Sequence, residues 1–259
     1  MRISIRQLVI ILQFIYALSL CGQEVFLSAK DIRTIKQKLS AFAEGQITLE
    51  QVTEVGGEEW GRKLITYYLA RSNDVTIKMT LPISRCYAAF GKYTEAANLA
   101  NEYVKIYSND WHGWNILGAA KLALQSYDEG LVALTNAVSL GSTKNFEALG
   151  YAALVTGRIE VFEKFALQPL LALKDAEKTS KAAKLKIVTI LVGYSIKADK
   201  REIFISALAG VNASDIESEE TLKEYLKTGC EVFKAKETEQ LCSQLAKVNR
   251  KNGSAGEKK

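Results

Sequence analysis

In the middle of the chain Leu131, Leu134 and Val138 recur at i, i+3 and i+7, and Leu117, Lys121 and Leu124 follow the same period one helix earlier. That spacing gathers apolar groups on one face of a helix. Pro82 and Pro169 are the only prolines, so long helices can run uninterrupted and an all-α fold is expected. Pro82 is harmless if its helix starts near Thr80, because the first turn has no use for the missing N–H. Upstream, residues 24–75 read as helical, with Thr48 and Gln51 forming a capping box and Gly56-Gly57 a stop.

A longer period is superimposed on the helical one. Gly91-Lys92-Tyr93-Thr94-Glu95-Ala96 returns 34 residues later as Gln125-Ser126-Tyr127-Asp128-Glu129-Gly130. Trp114-x-x-Leu117-Gly118 lies between the two copies, and Ala137 falls late in the following helix. A third unit carries Leu149-Gly150 and Gly157, each 32 residues after its counterpart, with Phe162 where a small residue is expected. The series resembles the tetratricopeptide repeat, a helical hairpin of about 34 residues with a W-x2-L-G signature and a later small residue. The resemblance covers residues 77–170 as three units. It implies a right-handed superhelical solenoid of stacked helical hairpins, in which each hairpin buries its apolar stripe against its neighbours.

In that family the facing positions of the two helices lie twelve residues apart, and they are small because close approach demands it. The corresponding pairs here are Ser84 with Ala96, Gly118 with Gly130, Ser195 with Ala207 and Cys230 with Cys242. The resemblance therefore extends to two degenerate hairpins over 171–248, beginning with a lysine-rich insertion at 171–186. It leaves 23–76 as N-terminal capping helices and 249–259 as a disordered tail. By the same analogy Cys230 and Cys242 are placed to form a disulfide in an oxidising compartment; the alternative is two reduced, buried cysteines. Cys86 is an unpaired buried thiol in either case. The first helices of the family's repeats line a concave groove, which makes Arg85, His112, Asn115, Lys144, Glu147 and Tyr151 the expected partner contacts. The family's chaperone-tail binders clamp a terminal carboxylate with Lys, Asn and Arg. Leu81 and Ile116 stand at two of those positions here, so that ligand is not expected.

The start of the chain changes the picture of where the protein works. Arg2 and Arg6 precede an apolar run from Leu8 to Leu20 that is broken by Gln13. Its length falls short of the roughly 18–20 residues that span a bilayer, so residues 1–22 read as a secretory signal peptide, with an uncleaved anchor as the alternative. Ala17-Leu18-Ser19 offers an ordinary cleavage site. Leu18-Ser19-Leu20-Cys21 partly matches a lipoprotein box, which would put lipid on Cys21. The net charge of +5 falls by two with the loss of Arg2 and Arg6, too mild for a nucleic-acid reader. Lys174, Lys178, Lys181 and Lys184 fall at helical spacing and are expected to share one face, either solvated or touching lipid phosphates or an acidic partner.

Chemistry is sparse. His112, the one histidine, lies in the expected first turn of a repeat helix beside Asn109 or Asp110 as N-cap, exposed and with no orienting partner evident from its neighbours. Four cysteines without a C-x2-C pair do not make a zinc site, and Gly56-Gly57 lacks the spacing of a nucleotide loop. No catalytic, metal or cofactor residue is expected. The sequence reads as an exported scaffold or adapter that binds a protein or peptide and is not an enzyme. The alternatives are a lipid-anchored assembly factor resembling pilotins and outer-membrane biogenesis lipoproteins, and a hydrolase with an unrecognised site.

Overall fold

The computed structural model describes residues 25–53, 57–212, 216, 219–234, 239 and 242–243. The leader, Cys21, Gly56 and the tail after 249 lie outside these residues. Among the described residues there are thirteen α-helices and no strand, so the chain is all-α. It divides between Ser142 and Thr143 into two compact units.

The first unit contains α1 (Ala29–Ala43), α2 (Leu49–Thr53), α3 (Gly57–Ala70), a 3-10 turn (Ser72–Asp74), α4 (Thr80–Ala89), α5 (Tyr93–Ile106), α6 (Trp111–Ala123) and α7 (Tyr127–Ser139). Local chemistry starts these helices where the sequence says it should. Thr48 and Gln51 form the capping box, the Thr48 N–H donating to Gln51 Oε1 (2.7 Å) and the Gln51 N–H to Thr48 Oγ1 (3.3 Å). Ser28 and Asp31 form a second one at the head of α1. Pro82 falls in the first turn of α4 as expected. Successive helices α4 to α7 pack on one another. The core behind them is continuous from Ile35 and Leu39 through Leu64, Leu81 and Tyr103 to Leu117 and Ala133.

The second unit contains α8 (Phe146–Val155), α9 (Ile159–Phe165), α10 (Leu167–Asp175), α11 (Lys181–Lys197), α12 (Arg201–Leu208) and α13 (Glu220–Phe233). Here α11 is the hub, packing against α8, α10, α12 and α13. Phe162 is fully buried and stacks on Tyr194 with ring centroids 4.3 Å apart, and the Tyr194 hydroxyl donates to Glu163 (2.7 Å).

Small residues sit where helices touch. The Ser84 hydroxyl donates to the Ala96 carbonyl (2.9 Å), and both residues are completely buried. A Cβ on Gly118 would lie 2.7 Å from Leu134 Cγ, and one on Gly130 would lie 3.2 Å from the Gly118 carbonyl oxygen. Ser195 and Ala207 are fully buried on the packed pair α11 and α12. Cys230 and Cys242 are joined by a disulfide, with Cα atoms 6.0 Å apart, inside the usual window of about 4.4–6.8 Å. Cys86 is free and buried.

The turns repeat more closely than the sequence does. Gly91, Gln125, Gly157 and Asp199 all adopt positive φ (71°, 61°, 70° and 53°) immediately after α4, α6, α8 and α11. In each case the next N–H reaches back five residues: Lys92 to Tyr87, Ser126 to Lys121, Arg158 to Ala153 and Lys200 to Ser195, at 2.8–2.9 Å. These bonds define the Schellman ending of a helix.

Two expectations need correction. Leu124 is exposed, because α6 ends before it and it serves as the helix C-cap. The four lysines do not share a face. Helix α10 stops at Asp175, Lys178 lies in the exposed turn that follows, and α11 restarts at Lys181 behind Ser180, whose hydroxyl caps the Ala183 N–H (3.3 Å). Lys174 is buried, its ammonium donating to the Ser206 carbonyl (2.8 Å) in the last turn of α12. Lys197 does the same for α8, donating to the Leu154 carbonyl (2.6 Å). Each of these end carbonyls takes only a long bond from the turn that follows, Ala209 N–H to Ser206 and Gly157 N–H to Leu154 (both 3.3 Å), and a cation there also meets the negative end of the dipole. These two lysines are C-terminal caps supplied by neighbouring helices.

Candidate functional site

The expected contact residues fall into two groups, one in each unit. In the first unit Arg85 lies on α4 and pairs with Glu50 of α2 at 3.4 Å. His112 and Asn115 lie three residues apart on α6, and so on neighbouring positions of its surface.

Asn115 is not a surface contact. It is 7% exposed, and its Nδ2 donates to Ser142 Oγ (2.9 Å) in the turn after α7. Its Oδ1 is buried with no hydrogen-bond partner. The face of α6 that carries it is covered by the end of its own hairpin, which sequence spacing alone does not reveal.

His112 is half-buried, and its surroundings overturn the expectation that it lacks an orienting group. Asp110 caps α6 by accepting the His112 N–H through Oδ1 (3.0 Å). The same oxygen lies 2.8 Å from the imidazole Nδ1. The other oxygen, Oδ2, accepts the hydroxyl of Tyr103 from α5 (2.6 Å). Trp111 stacks against the imidazole with centroids 3.6 Å apart and planes at 22°. Trp114, the signature aromatic, donates its Nε1–H to the Ser108 carbonyl (2.7 Å) and so fixes the loop that enters α6.

The electrostatics follow from this geometry. Burial pushes the Asp110 carboxyl up, but the hydrogen bonds from His112 and Tyr103 outweigh it and hold the group below its ordinary range. Tyr103 is pushed well above the usual phenol range by burial, then by its bond to Asp110 and that carboxylate's charge. The pair therefore stays as phenol and carboxylate at neutral pH.

In the second unit Lys144 is exposed in the turn before α8, Glu147 lies in its first turn, and Tyr151 follows one turn later at 48% exposure. Val155, four residues further on, is also exposed, so Glu147, Tyr151 and Val155 trace one stripe along α8. The sequence missed Tyr103 and Asp110 as supports for the histidine. The signal was present in an N-cap aspartate two residues before a histidine, where one carboxylate can reach both the N–H and the ring.

Among the described residues no three of His, Cys, Asp and Glu come together as a metal site, and no helix is long and apolar enough to cross a membrane. Comparison with protein-family models, with curated proteins and with solved structures finds no match to this chain.

Proposed function

We propose that this chain is an exported helical-repeat adapter, similar to tetratricopeptide proteins, that binds a segment of another protein through the exposed ends of its repeat helices. The observation that carries the reading is the recurrence of one Schellman turn at Gly91, Gln125, Gly157 and Asp199, together with small residues where the paired helices meet. The same ending also closes α1 at Gly45 and α7 at Gly141, but at the four positions it joins two helices packed as a pair, which supports a fold assembled from equivalent hairpins, the arrangement on which extended binding surfaces are built. The Cys230–Cys242 disulfide supports an oxidising location, as does the charged start and short apolar run of residues 1–22. His112 and Tyr151 are the contacts we assign to the partner, one in each unit.

A photocrosslinking amino acid placed at position 112 or 151 of the exported protein tests this. The expected result is a covalent adduct with a defined polypeptide from position 112 or from position 151, each judged within its own unit, and none from position 178, an exposed turn used as control. Adducts at all three positions alike, or at none, would overturn the reading. Intact mass of the exported chain separates its two forms: loss of the leader alone, or an added diacylglyceryl on Cys21.

A further inference from the structure

We infer that Tyr103 and Asp110 are positioning residues that hold His112 with its proton on Nδ1, so that Nε2 meets the partner as a hydrogen-bond acceptor and the group it receives is an N–H or O–H donor. The inference rests on the partner-binding reading of His112 and adds the chemistry of the contact.

An ionised carboxylate can only accept, so a ring nitrogen 2.8 Å from Asp110 Oδ1 must carry the hydrogen. In a neutral imidazole the other nitrogen is then an acceptor. Capping α6 requires just one bond, from the His112 N–H to Asp110. The bond to Nδ1 and the Tyr103 hydroxyl on Oδ2 go beyond that need. Tyr103 is 1% exposed and sits on a different helix, so the carboxylate is held from the core side and cannot swing away from the ring. Stacking on Trp111 fixes the plane of the imidazole. Among the described residues Nε2 has no partner, although the His112 side chain is 30% exposed. A polar group whose orientation is fixed before anything binds loses little freedom when it does.

The unmatched capacity at Nε2 is for accepting hydrogen, which favours a donor-bearing segment over a carboxylate or phosphate.

Because the chain has one histidine, its imidazole nitrogens give a single, unambiguous set of signals in a long-range 1H–15N correlation spectrum of the labelled full chain. At about pH 8, above the ordinary titration range of imidazole, Nδ1 is expected to show the protonated signature and Nε2 the bare one. Asp110→Ser, which keeps a helix cap but takes the carboxylate from the ring, should shift it toward the opposite form with unchanged helix content, and Tyr103→Phe, which only frees the carboxylate to move, should do so in part. A wild-type ring protonated mainly on Nε2 would overturn the inference and leave partner binding standing. The second arm uses dodecapeptides selected from a phage-displayed library against the full chain. His112→Phe should weaken them at least about tenfold, whereas His112→Gln, which keeps an acceptor near the Nε2 position, should stay within about threefold. Equal binding by His112→Phe would overturn the inference, and a library that yields no binder would overturn the binding reading as well.

Discussion

Asp110 does three jobs with two oxygens: it caps a helix, fixes a histidine and receives a buried phenol. Its carboxyl titrates below the unfolded value of about 3.9 because the bonds from His112 and Tyr103 outweigh burial. A depressed carboxylate contributes stability in full above the unfolded value and loses it as pH falls toward the folded one. Asparagine caps a helix about as well as aspartate, so the stability gap between wild type and Asp110→Asn reports what the charge and the second accepting oxygen add beyond the cap. That gap should narrow as pH drops from about 6 to about 3, followed by urea unfolding of both proteins; a gap constant across the range would contradict this account. Lys174 gives a contrasting case. Lys174→Met removes the charged donor from the Ser206 carbonyl, which keeps only the longer bond from the Ala209 N–H (3.3 Å), and should cost about 1–3 kcal/mol, whereas Lys178→Met in the exposed turn should stay within about 0.5 kcal/mol. The four lysines look alike in sequence. Ser180, a helix-starting residue between the second and third of them, was the sign that they straddle two helices.

At the scale of the element, the hairpin turn is specified by backbone geometry and only loosely by residue type. Glycine occupies the left-handed position after α4 and α8, where the sequence announces it, but Gln125 and Asp199 hold the same position after α6 and α11. A side chain there is disfavoured by about 1 kcal/mol. Gln125→Gly should therefore stabilise the protein, by somewhat less than that because glycine also loosens the unfolded chain. Chemical denaturation should show the gain, and a loss would mean that the glutamine side chain holds the turn. Much of this level was legible: helical class, the first-turn proline, the Thr48 capping box and the second hairpin all follow from spacing and local chemistry. What was not legible depends on packing between distant residues. Phe162 stands where a small residue was expected because Tyr194, 32 residues later, provides a ring for it to stack on. Asn115 is buried because Ser142, 27 residues away, closes over it.

At the scale of the molecule, the two compact units differ in how they are secured. Among its described residues the first contains no disulfide, and Cys86 is buried and free; its thiol is pushed up to about 12 by burial, which keeps it unreactive. The second carries the disulfide near its end. A reducing agent should lower the stability of the second unit by about 3 kcal/mol, the chain-entropy value for a loop of this length. Calorimetry with and without reductant checks this, with Cys230→Ala/Cys242→Ala as the reference that reductant cannot move. The position of the bridge also sets an order of events during synthesis. Both of its sulfurs are made more than 140 residues after Cys86, and domains made first tend to fold first. The first unit can close over Cys86 while Cys230 and Cys242 are still unmade. By the time the bridging thiols meet an oxidant, the thiol best placed to intercept them is already out of reach, so the timetable of the nascent chain guards the fidelity of the pairing.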